Sequence, residues 1–192
     1  MIKKITLLFT VVFVVYFSLI YALEKLNVDK NHSTMGFNVP IFGGLSKVTG
    51  KFTDFEVNAD WNDADPSSST VSVTIQANSI NTGIEKRDNH LRSADFFDVE
   101  NHPTITFVST GIKGSGSDYE LSGTFTMRGV TKDVTFGLKK EEVPSPDGQS
   151  MWKSFRVSGS LNRTDYGVSW ENPQVPNFVG DEIEMDIVIL SK

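Results

Sequence analysis

The sequence contains no cysteine and only three histidines among its 192 residues. The absence of cysteine excludes disulfides, thiolate metal sites, a cysteine nucleophile and lipid attachment through cysteine. Basic residues are also scarce, because 18 lysines and arginines face 24 acids and give a net charge of −6. Nucleic acids require a basic surface, so we expect no nucleic-acid partner. A folded domain of this composition must be stabilised by burial alone.

The first 22 residues differ from the rest. Lys3 and Lys4 precede an uncharged apolar run at 5–23, which is long enough to span a bilayer as a helix. A basic start and an apolar body are also typical of a secretory signal, here with Ala22 as the cleavage position. A removed signal and a retained N-terminal anchor both predict an exported protein, periplasmic or secreted. The predicted domain, 23–192, lacks the two lysines and has 16 basic against 24 acidic residues, a net charge of −8.

Apolar and polar residues alternate along most of the predicted domain, which is the pattern of strands with one buried face. Gly, Pro, Asp and Ser cluster between these segments, and the short link at 128–133 predicts a hairpin. We predict an all-β fold with one short helix, an eight-stranded antiparallel lipocalin-like barrel. An open two-sheet sandwich is the alternative. The alternating segments are 55–61, 71–77, 104–110, 119–127, 133–139, 152–161 and 182–190.

The segment from 86 to about 97 has helical composition. We expect Asn81 or Thr82 to cap its start and Pro103 to force an extended chain after it. Its charges alternate in sign, which permits i,i+4 ion pairs, anchoring of the helix to strand ends, or contact with an anionic head group. The predicted role is a lid at the mouth of the barrel, and the candidate anchoring residues are Arg87, Asp88, His90 and Arg92.

Histidines and acids gather in the stretch 87–107, which raises the question of a metal or catalytic site. Zinc sites usually need three or four ligands, and His90 and His102 lie twelve residues apart with no recognised spacing. The sequence contains no GxSxG elbow and no glycine-rich phosphate loop before a helix. We predict no catalytic residue, no metal and no enzyme. The alternative is a metal-assisted hydrolase in which folding brings His32 to His90 and His102.

Phenylalanine is abundant, with 14 residues, and many fall on positions that should face inward. A close-packed core favours interlocking aliphatic side chains, whereas a cavity lined by aromatics suits a long apolar guest. The residues leave two readings open, a lipid tunnel and the solid core of a ligand-free structural or stress-response barrel. The predicted tunnel residues are Phe37, Phe52, Val73, Ile75, Phe96, Phe97, Phe107, Phe125, Phe136 and Phe155.

Several ordered blocks of the sequence resemble the YceI-like family of exported bacterial lipid-binding proteins. The most specific block is IQANSINTGIEKRDNHLRSADFFDVENHPTITFVST at 75–110. The other blocks are DKNHSTMGFNV (29–39), VTGKFTDFE (48–56), GTFTMRGVTKDVTF (123–136), LNRTDYGV (161–168) and VGDEIEMDIVI (179–189).

The resemblance implies a lipocalin-like barrel around an apolar tunnel that binds a long isoprenoid chain or another amphiphile. It implies no catalytic residues and no cofactor beyond a bound guest such as an isoprenoid lipid or a quinone. It also implies a secreted, usually periplasmic protein. We predict that the protein carries or sequesters lipid in the cell envelope, and its acidic exterior suits a carrier that contacts membranes transiently. A homodimer is compatible with the sequence as well.

Overall fold

The computed structural model describes residues 23–192, and the expected signal or anchor segment lies outside the described residues. One α-helix, α1 (Glu85–Arg92), interrupts a series of strands. No helix in this part of the chain has both the length and the apolar character needed to cross a membrane. The strands are β1 (Glu24–Lys25), β2 (Thr34–Ile41), β3 (Ser46–Phe52), β4 (Phe55–Trp61), β5 (Thr70–Gln76), β6 (Ile80–Asn81), β7 (Thr104–Ser115), β8 (Asp118–Met127), β9 (Val130–Pro144), β10 (Met151–Asn162) and β11 (Glu182–Ser191).

All eleven strands belong to one sheet, in the order β1-β4-β5-β7-β8-β9-β10-β11-β2-β3-β6, and every neighbouring pair is antiparallel. Eight antiparallel steps separate β4 from β3 in this order, so the two strands run in the same direction. Only Thr53 and Asp54 join them, and no ladder connects them within residues 23–192. They are therefore two halves of one long strand that bends at Thr53–Asp54, and its halves pair with β2 and β5.

This bent strand explains how the sheet curls into a barrel. The predicted barrel class is confirmed, and the sandwich alternative is wrong because a single sheet contains every strand of residues 23–192. The sequence predicted eight strands, whereas the sheet formed by residues 23–192 contains eleven. The two-residue strands β1 and β6, which lie along the free sides of β4 and β3, are too short to show alternation.

The two ends of the barrel are built differently. At one end, which we call the helix end, lie α1, the β2–β3 turn and the connection between β10 and β11. At the other, which we call the tryptophan end, the ring of Trp61 packs 5.3 Å from that of Tyr119 and 5.1 Å from that of Phe155. The chain crosses this end from β1 to β11, because Val28 forms a bridge with Ser191. The tryptophan end is thus closed by side chains and by the N-terminal segment of the domain.

The helix is shorter than the sequence predicted and starts differently. It covers Glu85–Arg92 and not 86–97, because Ser93 leaves the helix in an extended conformation. Ile84 occupies the N-cap position without a side-chain hydrogen bond, so the predicted cap by Asn81 or Thr82 is wrong. The Asn81 side chain accepts instead from the backbone N–H of Gly83 at 2.9 Å, within the turn that precedes the helix.

Several strands extend beyond their predicted limits into segments with turn composition. Strand β7 continues to Ser115, and β9 begins at Val130 and runs to Pro144. The hairpin predicted at 128–133 is confirmed, with its turn at Arg128 and Gly129. Both residues have a left-handed φ, 50° and 74°, as the commonest two-residue hairpin turns require.

Candidate functional site

The barrel contains two apolar cavities that follow one another along its length. The larger has a volume of about 220 Å³ and lies at the helix end. The smaller has a volume of about 80 Å³ and extends towards the tryptophan end. Five residues line both cavities, and we call them the neck: Met35, Ile75, Phe125, Met185 and Ile187. The two cavities therefore adjoin at the neck, and we refer to them together as the tunnel.

All ten predicted tunnel residues lie on the walls of these cavities. Ile75 and Phe125 belong to the neck. The larger cavity is lined by Phe37, Phe52, Phe96 and Phe97, and the smaller by Val73, Phe107, Phe136 and Phe155. The structure therefore brings these residues together around one space, and their contact with a ligand stays a prediction.

Two glycines show how the large rings fit into the wall. A Cβ atom on Gly123 would lie 2.4 Å from the ring of Phe107 on the neighbouring strand. A Cβ atom on Gly50 would lie 2.4 Å from the ring of Phe37, again across a strand pair. The rings occupy the space that a side chain would need, so these glycines allow aromatic side chains to lie flat along the tunnel wall.

Sequence reasoning missed much of the wall formed by β2 and β11. Met35 and Val39 on β2, and Met185 and Ile187 on β11, line the tunnel. The sequence signal for β11 was present, since apolar residues alternate along the predicted segment 182–190, but the predicted tunnel residues were mostly phenylalanines and included none from this segment. Trp170 and Phe178 also line the larger cavity, from a connection without regular periodicity.

The lid helix is fastened to the chain just before it. The Asp88 carboxylate is buried and accepts from the Thr82 backbone N–H at 2.9 Å and from the Thr82 hydroxyl at 2.5 Å. Arg87 donates to the same hydroxyl at 2.7 Å and to the Thr82 carbonyl at 2.9 Å. Arg92 donates to the carbonyls of Asn78 and Ile80 at 2.8 and 2.9 Å. The helix is thus held over the strand ends by hydrogen bonds, and not by the predicted i,i+4 ion pairs.

His90 lies on the inner side of this lid and contributes to the wall of the larger cavity. Its Nε2 atom lies 2.9 Å from the Asp95 carboxylate. Its ring packs edge-on against those of Phe96 and Trp170, with centroids 5.0 and 5.2 Å apart. With Arg87, it brings polar atoms to the helix end of a wall that is otherwise almost entirely apolar.

A buried arginine that sequence reasoning missed organises the rest of the helix end. Arg163 lies at the end of β10, and its guanidinium donates to the carbonyls of Val168, Trp170, Val179 and Gly180 at 2.8–3.2 Å. It also pairs with the Asp181 carboxylate at 2.8 Å. Four hydrogen bonds and one ion pair thus join Arg163 to the β10–β11 connection and hold it in place.

The three histidines do not converge. His32 Nδ1 lies 2.7 Å from the Asp29 carboxylate, near the end of β11. This histidine and Lys192 hold the pKa of Asp29 at about 2 through hydrogen bonds, that of Lys192 being the stronger influence. His90 and His102 lie near the helix end, each beside a different aspartate. No group of three or more His, Cys, Asp or Glu side chains within 23–192 is arranged to hold a metal ion, so the hydrolase alternative lacks the site it requires.

A network of charges covers the tryptophan end of the tunnel. Lys153 is buried and pairs with Glu24 and with Asp63, the latter at 3.1 Å. Lys140 pairs with Asp63 and with Glu142. Burial alone would lower the pKa of each lysine, but the hydrogen bonds to carboxylates outweigh it and raise that pKa above its ordinary value. Both lysines are thus paired with carboxylates at this end of the barrel.

Comparison with known proteins identifies relatives of this fold. A family model described as the YceI-like domain matches residues 26–190. A UPF0312 protein of Pseudomonas aeruginosa strain LESB58 is 34% identical over 151 residues, which cover 77% of this chain and 76% of that protein. The crystal structure of Burkholderia cenocepacia BcnA matches with a TM-score of 0.77 at 20% identity, over 86% of this chain and 100% of that one. A polyisoprenoid binding domain from Saccharophagus degradans, implicated in plant cell wall breakdown, matches with a TM-score of 0.63 at 16% identity, over 89% and 99%.

Proposed function

The chain belongs to the YceI-like domain family, and from this premise we propose that its tunnel binds a long-chain isoprenoid or a similar amphiphilic lipid. The observation that carries the proposal is the pair of apolar cavities, about 220 and 80 Å³, that meet at the neck. The polyisoprenoid binding domain with the same fold supports this choice of ligand.

The tunnel supplies affinity through its apolar surface. Each Å² of apolar surface that leaves water contributes roughly 25 cal/mol, so a long tail binds without polar contacts. The head group then lies at the helix end, where the wall includes the polar side chains of Arg87, His90 and Arg163. Arg163 already donates to four backbone carbonyls. Arg87 uses two of its nitrogens on Thr82, and Nη1 makes no hydrogen bond within the described chain. It is therefore the wall residue best placed to meet a polar head group.

We propose further that the protein is exported to the periplasm or beyond and carries or sequesters this lipid in the cell envelope. The apolar run at 5–23 supports export. Transfer of a lipid requires contact with membranes, and the acidic composition of residues 23–192 supports contacts that are transient. A homodimer stays a prediction.

The second candidate is a structural or stress-response barrel without a ligand. Such a barrel needs no internal space, and well-packed interiors contain few voids larger than a water molecule. A cavity of about 220 Å³ in the larger chamber favours lipid binding over this alternative.

Uptake of a fluorescent long-chain lipid by two charge variants tests the proposal. Phe107→Arg places a cation on the wall of the smaller cavity, whereas Lys139→Glu changes an exposed residue that pairs with Glu141. We expect the first to lower affinity about tenfold or more and the second to leave it unchanged. Met185→Gln, a milder polar change at the neck, serves if Phe107→Arg does not fold. Equal affinities in all folded variants would contradict the proposal.

A further inference from the structure

The turn between β2 and β3 exposes apolar side chains at the helix end of the barrel. It consists of Phe42, Gly43, Gly44 and Leu45, which we call the tip. Leu45 is 91% exposed and Phe42 is 49% exposed. Folding does not account for the position of Leu45, because its side chain gains almost no burial there.

The backbone of the tip is held in an unusual conformation. Phe42 has a φ of 53°, a left-handed value that is rare for a bulky side chain. Gly43 and Gly44 follow with φ values of 65° and 92°. The Phe42 N–H donates to the Phe178 carbonyl at 3.0 Å, and the two rings pack edge-on with centroids 4.7 Å apart. Strained residues persist where the surrounding structure imposes them, often at functional sites.

The hairpin that carries the tip differs in charge from the whole chain. Residues 34–53, which include both strands of the hairpin, contain Lys47 and Lys51 and no acidic residue. This segment lies in a domain with a net charge of −8. By contrast, the exposed apolar side chain of Val143 at the tryptophan end has Glu141 and Glu142 beside it in the sequence. The hairpin therefore combines exposed apolar side chains with two lysines, the combination that favours an anionic lipid surface. Glu171 and Asp181 line a cleft with Gly43 and Gly44 beside the tip, and there Asp181 is paired with Arg163.

The tip is also continuous with the tunnel wall. Ile41, the residue before the tip, and Val48 on β3 both line the larger cavity. Phe178, which packs against Phe42, lines it as well. One hairpin thus provides the exposed tip on the outside and part of the lipid-binding wall on the inside.

We propose that the tip docks on membranes that contain anionic phospholipid, with Phe42 and Leu45 in the interfacial layer and Lys47 near the head-group phosphates. Docking brings the helix end of the tunnel to the bilayer, and in this respect the inference rests on the proposed function. The ring of Phe42 and the side chain of Leu45 suit this layer, because phenylalanine and leucine are typical of the apolar face that proteins bury at the boundary between head groups and acyl chains.

Flotation with phospholipid vesicles tests this docking. We expect the full chain without 1–22 to bind vesicles of mixed phosphatidylcholine and phosphatidylglycerol more tightly than vesicles of phosphatidylcholine alone. Leu45→Ser should weaken binding to the mixed vesicles about tenfold, since a leucine side chain loses its apolar transfer. Lys47→Glu should weaken binding only where phosphatidylglycerol is present. Val143→Ser, which alters an apolar side chain of 54% exposure at the other end, is the matched control and should have no effect.

The variant Phe42→Gly distinguishes a role of the tip in folding from a role in membrane docking. Glycine adopts the left-handed φ readily, and this relief opposes the loss of the ring contact with Phe178. The variant should therefore stay close to the wild type in thermal stability while it weakens vesicle binding. Equal vesicle binding by Leu45→Ser, Phe42→Gly and the Val143→Ser control would overturn the docking proposal. Loss of vesicle binding with unchanged lipid uptake in the tip variants supports it. A chain that floats with vesicles but takes up no lipid would leave docking intact and refute the proposed function instead.

Discussion

Removal of the bound lipid should destabilise the protein by an amount that follows from the cavity volumes. Mutations that create empty apolar cavities cost about 24 cal/mol for each Å³ that the surroundings do not refill. For the larger cavity of about 220 Å³, this gives about 5 kcal/mol. Domains of this size have a total free energy of unfolding of about 5–15 kcal/mol. The lipid-free protein should therefore retain only part of the stability of the lipid-bound protein.

Scanning calorimetry of native, lipid-extracted and lipid-refilled protein measures this difference. A change of 1 kcal/mol shifts the Tm of a domain of this length by about 2–4 °C, so extraction should lower Tm by about 10–20 °C and refilling should restore it. Val48→Phe, which extends a ring into the larger cavity, should raise the Tm of the lipid-free form only. Val108→Phe, on an exposed position of β7, is the control and should change neither form. An extracted protein with the Tm of the native protein would refute the reasoning.

Three further changes have defined outcomes. Val73→Trp fills the smaller cavity and should shift binding towards shorter chains in a series of prenyl alcohols. The control Val108→Trp, on the outer face, should leave the preferred chain length unchanged. An unchanged preference in Val73→Trp would contradict the tunnel assignment. Asp88→Asn weakens the two hydrogen bonds from Thr82 and should lower the free energy of unfolding by about 1–3 kcal/mol. Amide hydrogen exchange should become faster in α1 than in the strands. Equal acceleration in α1 and the strands would contradict the lid assignment. The pKa of Asp29 lies at about 2, below its ordinary 3.8. The ionised carboxylate therefore contributes fully to the free energy of unfolding above about pH 4, and this contribution disappears as the pH falls through 2. In Asp29→Asn, the urea concentration at the unfolding midpoint should therefore depend less on pH between about pH 2 and 4 than it does in the wild type. The same dependence on pH in both proteins would contradict the linkage.

The strands and the aromatic part of the tunnel were predictable from the sequence because both depend on local alternation. A period of two places Phe107 and Val73 on inward faces whatever the neighbouring strands are. The bend at Thr53–Asp54 was not predictable, because the two segments that flank it resemble separate strands in the sequence. Which strand pairs with each half depends on distant residues, and only the folded sheet resolves that choice.

The helix end shows a second limit of sequence reasoning. Arg163 and Trp170 belong to a connection without periodicity, and Arg163 acts through four backbone carbonyls that no side-chain pattern reveals. The residues of the lid helix were identified, but their partners were not, because Asp88 and Arg87 both bind Thr82 through a turn formed by Gly83. Local propensity indicates that a helix forms, whereas tertiary hydrogen bonds decide where it starts and ends.

Native mass spectrometry of protein purified without detergent tests the central claim most directly, that the apolar tunnel holds a long-chain lipid. We expect the mass of the chain plus one amphiphile, and we expect collisional activation to release a lipid with an extended hydrocarbon tail. The Phe107→Arg variant should carry less of the same lipid. A wild-type chain of bare mass, with no lipid in organic extracts of the same preparation, would contradict the account.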